Sequence, residues 1–118
     1  MFQVSFSDQC LTDLRKIDTL VQLDVISPLS LLTEGQLNNP KEPLGSFSRG
    51  KKSIYRIHSG DYRLYFERNG INLHTICILH KNTLTDFIFR TKLPISEAQL
   101  IEQHSSFWKY LETLTRSD

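Results

Sequence analysis

The chain opens on an alternation. Phe2, Val4 and Phe6 are apolar against polar Gln3 and Ser5, and this period of two predicts a half-buried strand over Met1 to Phe6. Ser7 then suits a helix N-cap, with Asp8 in the first turn favoured by the helix dipole. Cys10, Leu14, Ile17 and Val21 follow at helical spacing. Ser27-Pro28 reads as a second N-cap with a first-turn proline, predicting helix through Leu32. Two helices and one kinked helix both satisfy the pattern. From Asn38 to Ser53 the periodicity stops. Asn38, Asn39, Pro40, Pro43, Gly45 and Gly50 predict a connector that ends on the basic cluster Arg49, Lys51 and Lys52.

Beyond Ser53 the pattern becomes that of a meander. Ile54 to His58, Tyr62 to Glu67 and Ile71 to Leu79 read as strands, and Thr83 to Arg90 as a short fourth. Gly60-Asp61 fits a type II′ hairpin loop and Asn69-Gly70 a type I′ loop. After Pro94, Ile95 to Leu114 is helical, with Ser96 and Gln99 forming a capping box and Leu100, Phe107, Leu111 and Leu114 an apolar stripe. The expected fold is α+β. An N-terminal strand and helical hairpin pack on an antiparallel sheet of about four strands, and a C-terminal helix is added. The whole of 1–118 reads as one domain, with a core over 1–90 and a helical extension over 95–115.

Hairpin loops fix register, and register fixes which side chains share a face. With Gly60-Asp61 as loop, His58 faces Arg63, Ile57 faces Leu64 and Arg56 faces Tyr65. With Asn69-Gly70 as loop, Phe66 faces Leu73, Tyr65 faces His74 and Leu64 faces Thr75. One face then carries Ile57, Leu64, Phe66, Leu73, Cys77 and Leu79, and belongs on the N-terminal helices. The other carries Arg56, His58, Arg63, Tyr65, His74 and His80, with Ile76 and Ile78 among them. Buried unpaired charge is expensive, so this second face is open, covered with partners, or binds an anion.

Composition narrows the alternatives only a little. The chain has 118 residues, is 39% hydrophobic and 23% charged, and carries a net charge of +1. Nucleic-acid binding must therefore come from local clustering, not overall charge. Cys10 and Cys77 lack any CxxC spacing and read as small buried hydrophobes, which favours a reducing compartment. There is no signal-peptide pattern and no apolar run of membrane-spanning length, so the expectation is a cytoplasmic protein without a membrane partner. P-loop, GxGxxG, HExxH and GxSxG motifs are absent, and the histidines lack metal-ligand spacing, so neither a metal nor another cofactor is expected.

The polar face has the parts of a phosphate site. Arg56 and Arg63 offer planar forks matched to phosphate oxygens. Arg49, Lys51 and Lys52 would extend the patch, and Tyr65 would stack a base. His58, His74 or His80 would move a proton near neutral pH. A solvated sheet face, or one covered by Phe107 and Trp108 of the C-terminal helix, explains the same residues without a ligand.

The stretch Tyr55-Arg56-Ile57-His58-Ser59-Gly60-Asp61-Tyr62-Arg63-Leu64-Tyr65-Phe66-Glu67 resembles the YRxRxGDYRxxYE core of the RelE/ParE toxin superfamily, and Leu44-Gly45 sits where those proteins often carry an LxG turn. The order of elements is similar as well. The resemblance implies a toxin of a type II toxin–antitoxin pair. RelE-like members are metal-independent endoribonucleases that cut mRNA on the ribosome, and ParE-like members inhibit DNA gyrase. By the same resemblance Arg63 contacts the scissile phosphate and Arg56 stabilises the transition state. A second catalytic arginine is common after the third long strand; here His80 or Lys81 would replace it. The C-terminal tyrosine or histidine of many members has no counterpart at Phe87 or Phe89, and the chain continues past the usual end. The resemblance thus implies a ribosome-dependent nuclease with a cognate antitoxin. The alternative is a catalytically inactive RelE-fold module that binds RNA or another protein, and the third reading is a gyrase inhibitor.

Overall fold

A computed structural model describes residues 2–49, 52–80 and 107–111 of the chain. Strand β1 (Gln3–Phe6) leads into helix α1 (Asp8–Arg15). Ser7 makes that corner. Its Oγ accepts from Cys10 N at 3.0 Å and donates to the Ile76 carbonyl, so one hydroxyl caps the helix and ties it to the sheet. Helix α2 (Thr19–Ser30) begins one short turn later, where Asp18 accepts from Leu20 N at 2.9 Å.

The helical break therefore lies at Lys16 to Asp18, and not at Ser27 as the Ser-Pro pair suggested. Pro28 sits inside α2. It has no N–H, so the Asp24 carbonyl loses its usual helical donor. The Ser27 and Ser59 hydroxyls donate to that carbonyl instead, at 3.4 and 3.3 Å. The Ser59 bond fastens α2 to the end of a strand. Helix α3 (Glu34–Asn38) starts on a full capping box of Thr33 and Gln36.

Strands β2 (Leu44–Arg49), β3 (Lys52–Ser59), β4 (Tyr62–Asn69) and β5 (Asn72–His80) complete one five-stranded sheet in the order β1-β5-β4-β3-β2. β2 to β5 are antiparallel neighbours, and β1 lies parallel to β5. The breaker residues predicted a connector over Asn38 to Ser53. Half of it is strand: Leu44 pairs with Ile57 and Phe47 with Ile54, so pairing with β3 overrides the breakers. The predicted strand over Thr83 to Arg90 lies outside the described residues, as does most of the predicted helix over Ile95 to Leu114. Residues 107–111 are helical and form α4.

The β3–β4 and β4–β5 hairpins each have a glycine of positive φ in the first loop position, Gly60 at 60° and Gly70 at 61°. The second loop is thus Gly70-Ile71, with Asn69 opposite Asn72, one step beyond the register read from Asn69-Gly70. A bulge follows. Phe66 pairs with Thr75 but Tyr65 pairs with Cys77, which leaves Ile76 as an extra residue on β5. One extra residue inverts the alternation for everything after it. Ile78 turns to the N-terminal helices, while Cys77 and Leu79 turn away, the reverse of the expected pattern.

Two cores result, one on each side of the sheet. Cys10, Val25, Leu29 and Leu37 pack with Ile57, Leu64, Phe66, Leu73 and Ile78 beneath the three N-terminal helices. On the other side Phe107, Trp108 and Leu111 of α4 cover Ile54, Tyr65, Ile76, Cys77 and Leu79. Burial pushes the Cys10 thiol up to about 12, with help from the Asp13 charge, and raises Cys77 well above its ordinary value. Both cysteines are free, buried and protonated, and act as small hydrophobes.

Candidate anion site on the sheet

Cross-strand pairing brings the predicted cationic residues together. His58 of β3 lies directly opposite Arg63 of β4, and Arg56 lies opposite Tyr65 on one side and Gly45 of β2 on the other. Alternation puts Arg56, His58, Arg63 and Tyr65 on the face that α4 partly covers.

Arg56 is only 6% exposed. Its guanidinium lies flat across β2 at Gly45, so close that a Cβ there would meet Nη2 at 2.7 Å. Nη1 then reaches Glu42 Oε1 at 3.4 Å and the Pro43 carbonyl at 3.5 Å. These are long hydrogen bonds, and the Glu42 side chain is 62% exposed, so the ion pair contributes at most about 1 kcal/mol. Its effect is positional: glycine opens the seat and Glu42 marks its end. The Leu44-Gly45 pair was visible in the sequence, but Glu42 was not singled out, because nothing local ties it to a residue fourteen positions on.

His58 is half-buried. Burial lowers its pKa, the charges of Arg56 and Arg63 lower it further, and Glu42, with Oε2 4.0 Å from Nε2, opposes them. The imidazole is consequently neutral at pH 7 and able to accept a proton. Arg63 is half-buried, and its Nη1 is buried with no hydrogen-bond partner among the described residues. A buried donor left unpaired costs about 1–3 kcal/mol, more when charged, and an anionic oxygen would satisfy it.

Other candidates fall elsewhere. Tyr65 is fully buried, its ring 5.3 Å from that of Phe107 at 61°, so it has no face open to a base. This corrects its expected role in stacking RNA. The covering helix was anticipated as the reading without a ligand, and at Tyr65 that reading holds. His80 follows the β5 bulge and lies on the opposite side, edge-on to Tyr62 with centroids 5.1 Å apart. It is not beside Arg63, as the unbulged register implied. His74 shares a 2.9 Å hydrogen bond with Ser5 and sits opposite Glu67. Arg49 and Lys52 are paired where β2 ends and β3 begins. Lys51 and Lys81, and the side chains of Arg49 and Lys52, lie outside the described residues. Among the described residues no group of three or more His, Cys, Asp or Glu is placed to hold a metal ion. No helix among them is long and apolar enough to cross a membrane.

No protein-family model matches the chain, and no curated protein matches it. Solved structures do. A chain of the archaeal RelE–RelB complex from Pyrococcus horikoshii superimposes with a TM-score of 0.55 at 14% identity, covering 68% of this chain and 94% of that one. The fold is that of the RelE-like toxins. The RelB–RelE antitoxin–toxin complex of Methanococcus jannaschii also matches, with 23% identity, 70% and 96% coverage and a TM-score of 0.47. The RelBE2 toxin–antitoxin complex of Mycobacterium tuberculosis matches with 15% identity, 67% and 96% coverage and a TM-score of 0.47. Within the RelE-like fold, Arg56, His58 and Arg63 lie on the central antiparallel strands, and α4 is an element added beyond them.

Proposed function

We propose that this protein is a RelE-like toxin that represses translation by binding and cleaving mRNA on the ribosome in the cytoplasm, held in check by a cognate antitoxin. The observation that carries the reading is the pair formed by neutral His58 and Arg63, whose buried Nη1 lacks a partner among the described residues. RNA cleavage without a metal needs a base and a cation at one phosphate. His58 takes the proton of the ribose 2′-hydroxyl. The 2′-oxygen attacks the adjacent phosphorus, the bond to the 5′-oxygen breaks, and a 2′,3′-cyclic phosphate forms. The leaving oxygen takes its proton from solvent. Arg63 stabilises the charge that develops on the phosphate, and Arg56 keeps His58 unprotonated beforehand.

The partner reading leans on the Pyrococcus horikoshii relative, whose structure is a complex of RelE with RelB. The chain acts as one domain, with 95–115 as an extension of the 1–90 core. A second reading has one specific observation in its favour: α4 lies on the same sheet face and buries Tyr65. A RelE-fold module that binds RNA or protein without cutting would have that feature.

Induced expression and a translation extract separate the readings. The wild type is expected to arrest growth and cleave ribosome-bound mRNA, and Arg63→Ala and His58→Ala to abolish both while folding normally. Intact mRNA with wild-type protein favours the binding module. Loss of DNA supercoiling with intact mRNA favours gyrase inhibition.

A further inference from the structure

Helix α2 is apolar on both sides. Val25 and Leu29 face the core, while Leu20, Leu23 and Leu31 on the outer side are 87, 73 and 75% exposed. Together with Ser27 these three recur at spacings of three and four, which makes one stripe along a helix. Asp24 lies in that stripe and is the one charged residue of α2. A helix apolar all round is normally buried, and an exposed apolar stripe marks an interaction surface. At the C-terminal end of α2 the stripe meets a cleft of about 400 Å³, which runs between Leu31 and Ile71 and has Phe2 and Leu32 in its walls. Arg68 shapes this end. It forks onto both Glu34 oxygens at 2.6 and 2.7 Å and lies over the Phe2 ring, 5.0 Å from its centroid. Two residues that line the cleft are thus fixed by one guanidinium.

We infer that the outer face of α2 docks an amphipathic helix of another protein, one whose apolar stripe is flanked by lysine or arginine. Charge selects this occupant. From Ile17 to Pro40 the chain has three acids, Asp18, Asp24 and Glu34, and no lysine or arginine. Arg68 already answers Glu34, and Asp18 accepts from Leu20 N at the first turn of α2. Asp24 stands exposed among the leucines, where a partner's cation would meet it. The cations that precede α2, Arg15 and Lys16, close α1, and Lys16 borders a different cleft with His80 and Tyr110. A second copy of this chain would bring its own Asp24 into the same stripe, and like charges at close range oppose that pairing. A membrane surface is a poor fit as well, because helices that lie on it carry lysine and arginine on their polar face. The partner's leucine-type side chains would lie along Leu20, Leu23 and Leu31, with one of them filling the cleft beside Ile71.

α2 packs on the side of the sheet opposite to Arg63, so a helix docked here leaves the anion site open. The inference therefore stands apart from the proposed cleavage chemistry.

The test titrates the full chain with two synthetic helical peptides of about four turns, observed by amide NMR. Both carry the same leucine stripe, flanked in one by lysine and in the other by glutamate. The lysine peptide is expected to bind about fivefold or more tightly, and to shift the amides of Leu20, Leu23, Leu31 and Ile71. Asp24→Lys should reverse the order of the two peptides. It keeps the backbone carbonyl that Ser59 uses, so the fold is retained. Leu23→Ser and Leu31→Ser, both at exposed positions, should each weaken the lysine peptide by about tenfold. Equal affinity for the two peptides, an order unchanged in Asp24→Lys, or shifts confined to another surface overturns the inference. A wild-type dimer in sedimentation that Leu23→Ser dissolves also overturns it and gives the face to a second copy. Binding to phosphatidylglycerol vesicles that Leu31→Ser abolishes overturns it in favour of a membrane.

Discussion

Replacing Gly45 with alanine tests how the anion site is built. The new Cβ would stand 2.7 Å from Arg56 Nη2, 3.0 Å from Cζ and 3.4 Å from Nη1. The obstructing atoms are the far end of a flexible side chain, so the guanidinium swings away and the backbone stays. Two of its hydrogen bonds, to exposed Glu42 and to the Pro43 carbonyl, are long and contribute at most about 1 kcal/mol. Alanine in a strand regains about 0.5–1 kcal/mol over glycine through reduced unfolded-state entropy. The two terms nearly cancel, and folding stability read from the urea midpoint should move by less than about 1 kcal/mol in either direction. His58 responds differently. It loses one of the two cationic neighbours that lower its pKa, so an NMR titration of its ring should show the pKa moving up toward 6.5. RNA affinity should fall as far as it does in Arg56→Ala. A drop of several kcal/mol in stability, or an unmoved His58 titration, would refute the seat described for Arg56.

Further outcomes follow from the same geometry. Because the folded His58 has a lowered pKa, the unfolded chain binds a proton as pH falls below 6.5 that the folded one resists. Its contribution to stability is thus complete above pH 6.5 and lost on acidification toward the folded pKa. The urea midpoint of the wild type should fall relative to that of His58→Gln as the pH drops below about 6.5. Tyr65→Ala should cost about 3–5 kcal/mol of folding stability, as for other large buried rings, and melting rather than RNA binding is the assay that detects it. Ser59→Ala should cost about 1 kcal/mol by unfolding, and this cost should shrink when Pro28→Ala returns a helical donor to the Asp24 carbonyl.

Local chemistry made much of this legible. Ser7 as a cap, Gly60 as a hairpin loop and the His58–Arg63 pairing all depend on residues close in sequence, and each is found where it was read. The β5 bulge was not legible, because Ile76-Cys77-Ile78-Leu79 is apolar at every position and hides its own phase. That bulge moved His80 off the face of Arg63. β2 was hidden by Pro43, Gly45 and Gly50, whose turn chemistry masked a strand specified by its pairing with β3. The burial of Tyr65 depended on where α4 docks, which a helical stripe does not disclose.

The parallel pairing of β1 with β5 has a consequence for how the chain is made. Ser5 meets His74 across 69 residues, whereas the β3–β4 hairpin closes over its own loop. The cationic hairpin can form as soon as it leaves the ribosome. The edge that holds β5 must wait for both ends of the core. Such non-local closure is slow. A nascent chain halted before Asn72 would carry Arg56, His58 and Arg63 on a hairpin without the strand that supports it, and β1 without any partner to pair with. Competence of the site is thereby tied to completion of the core.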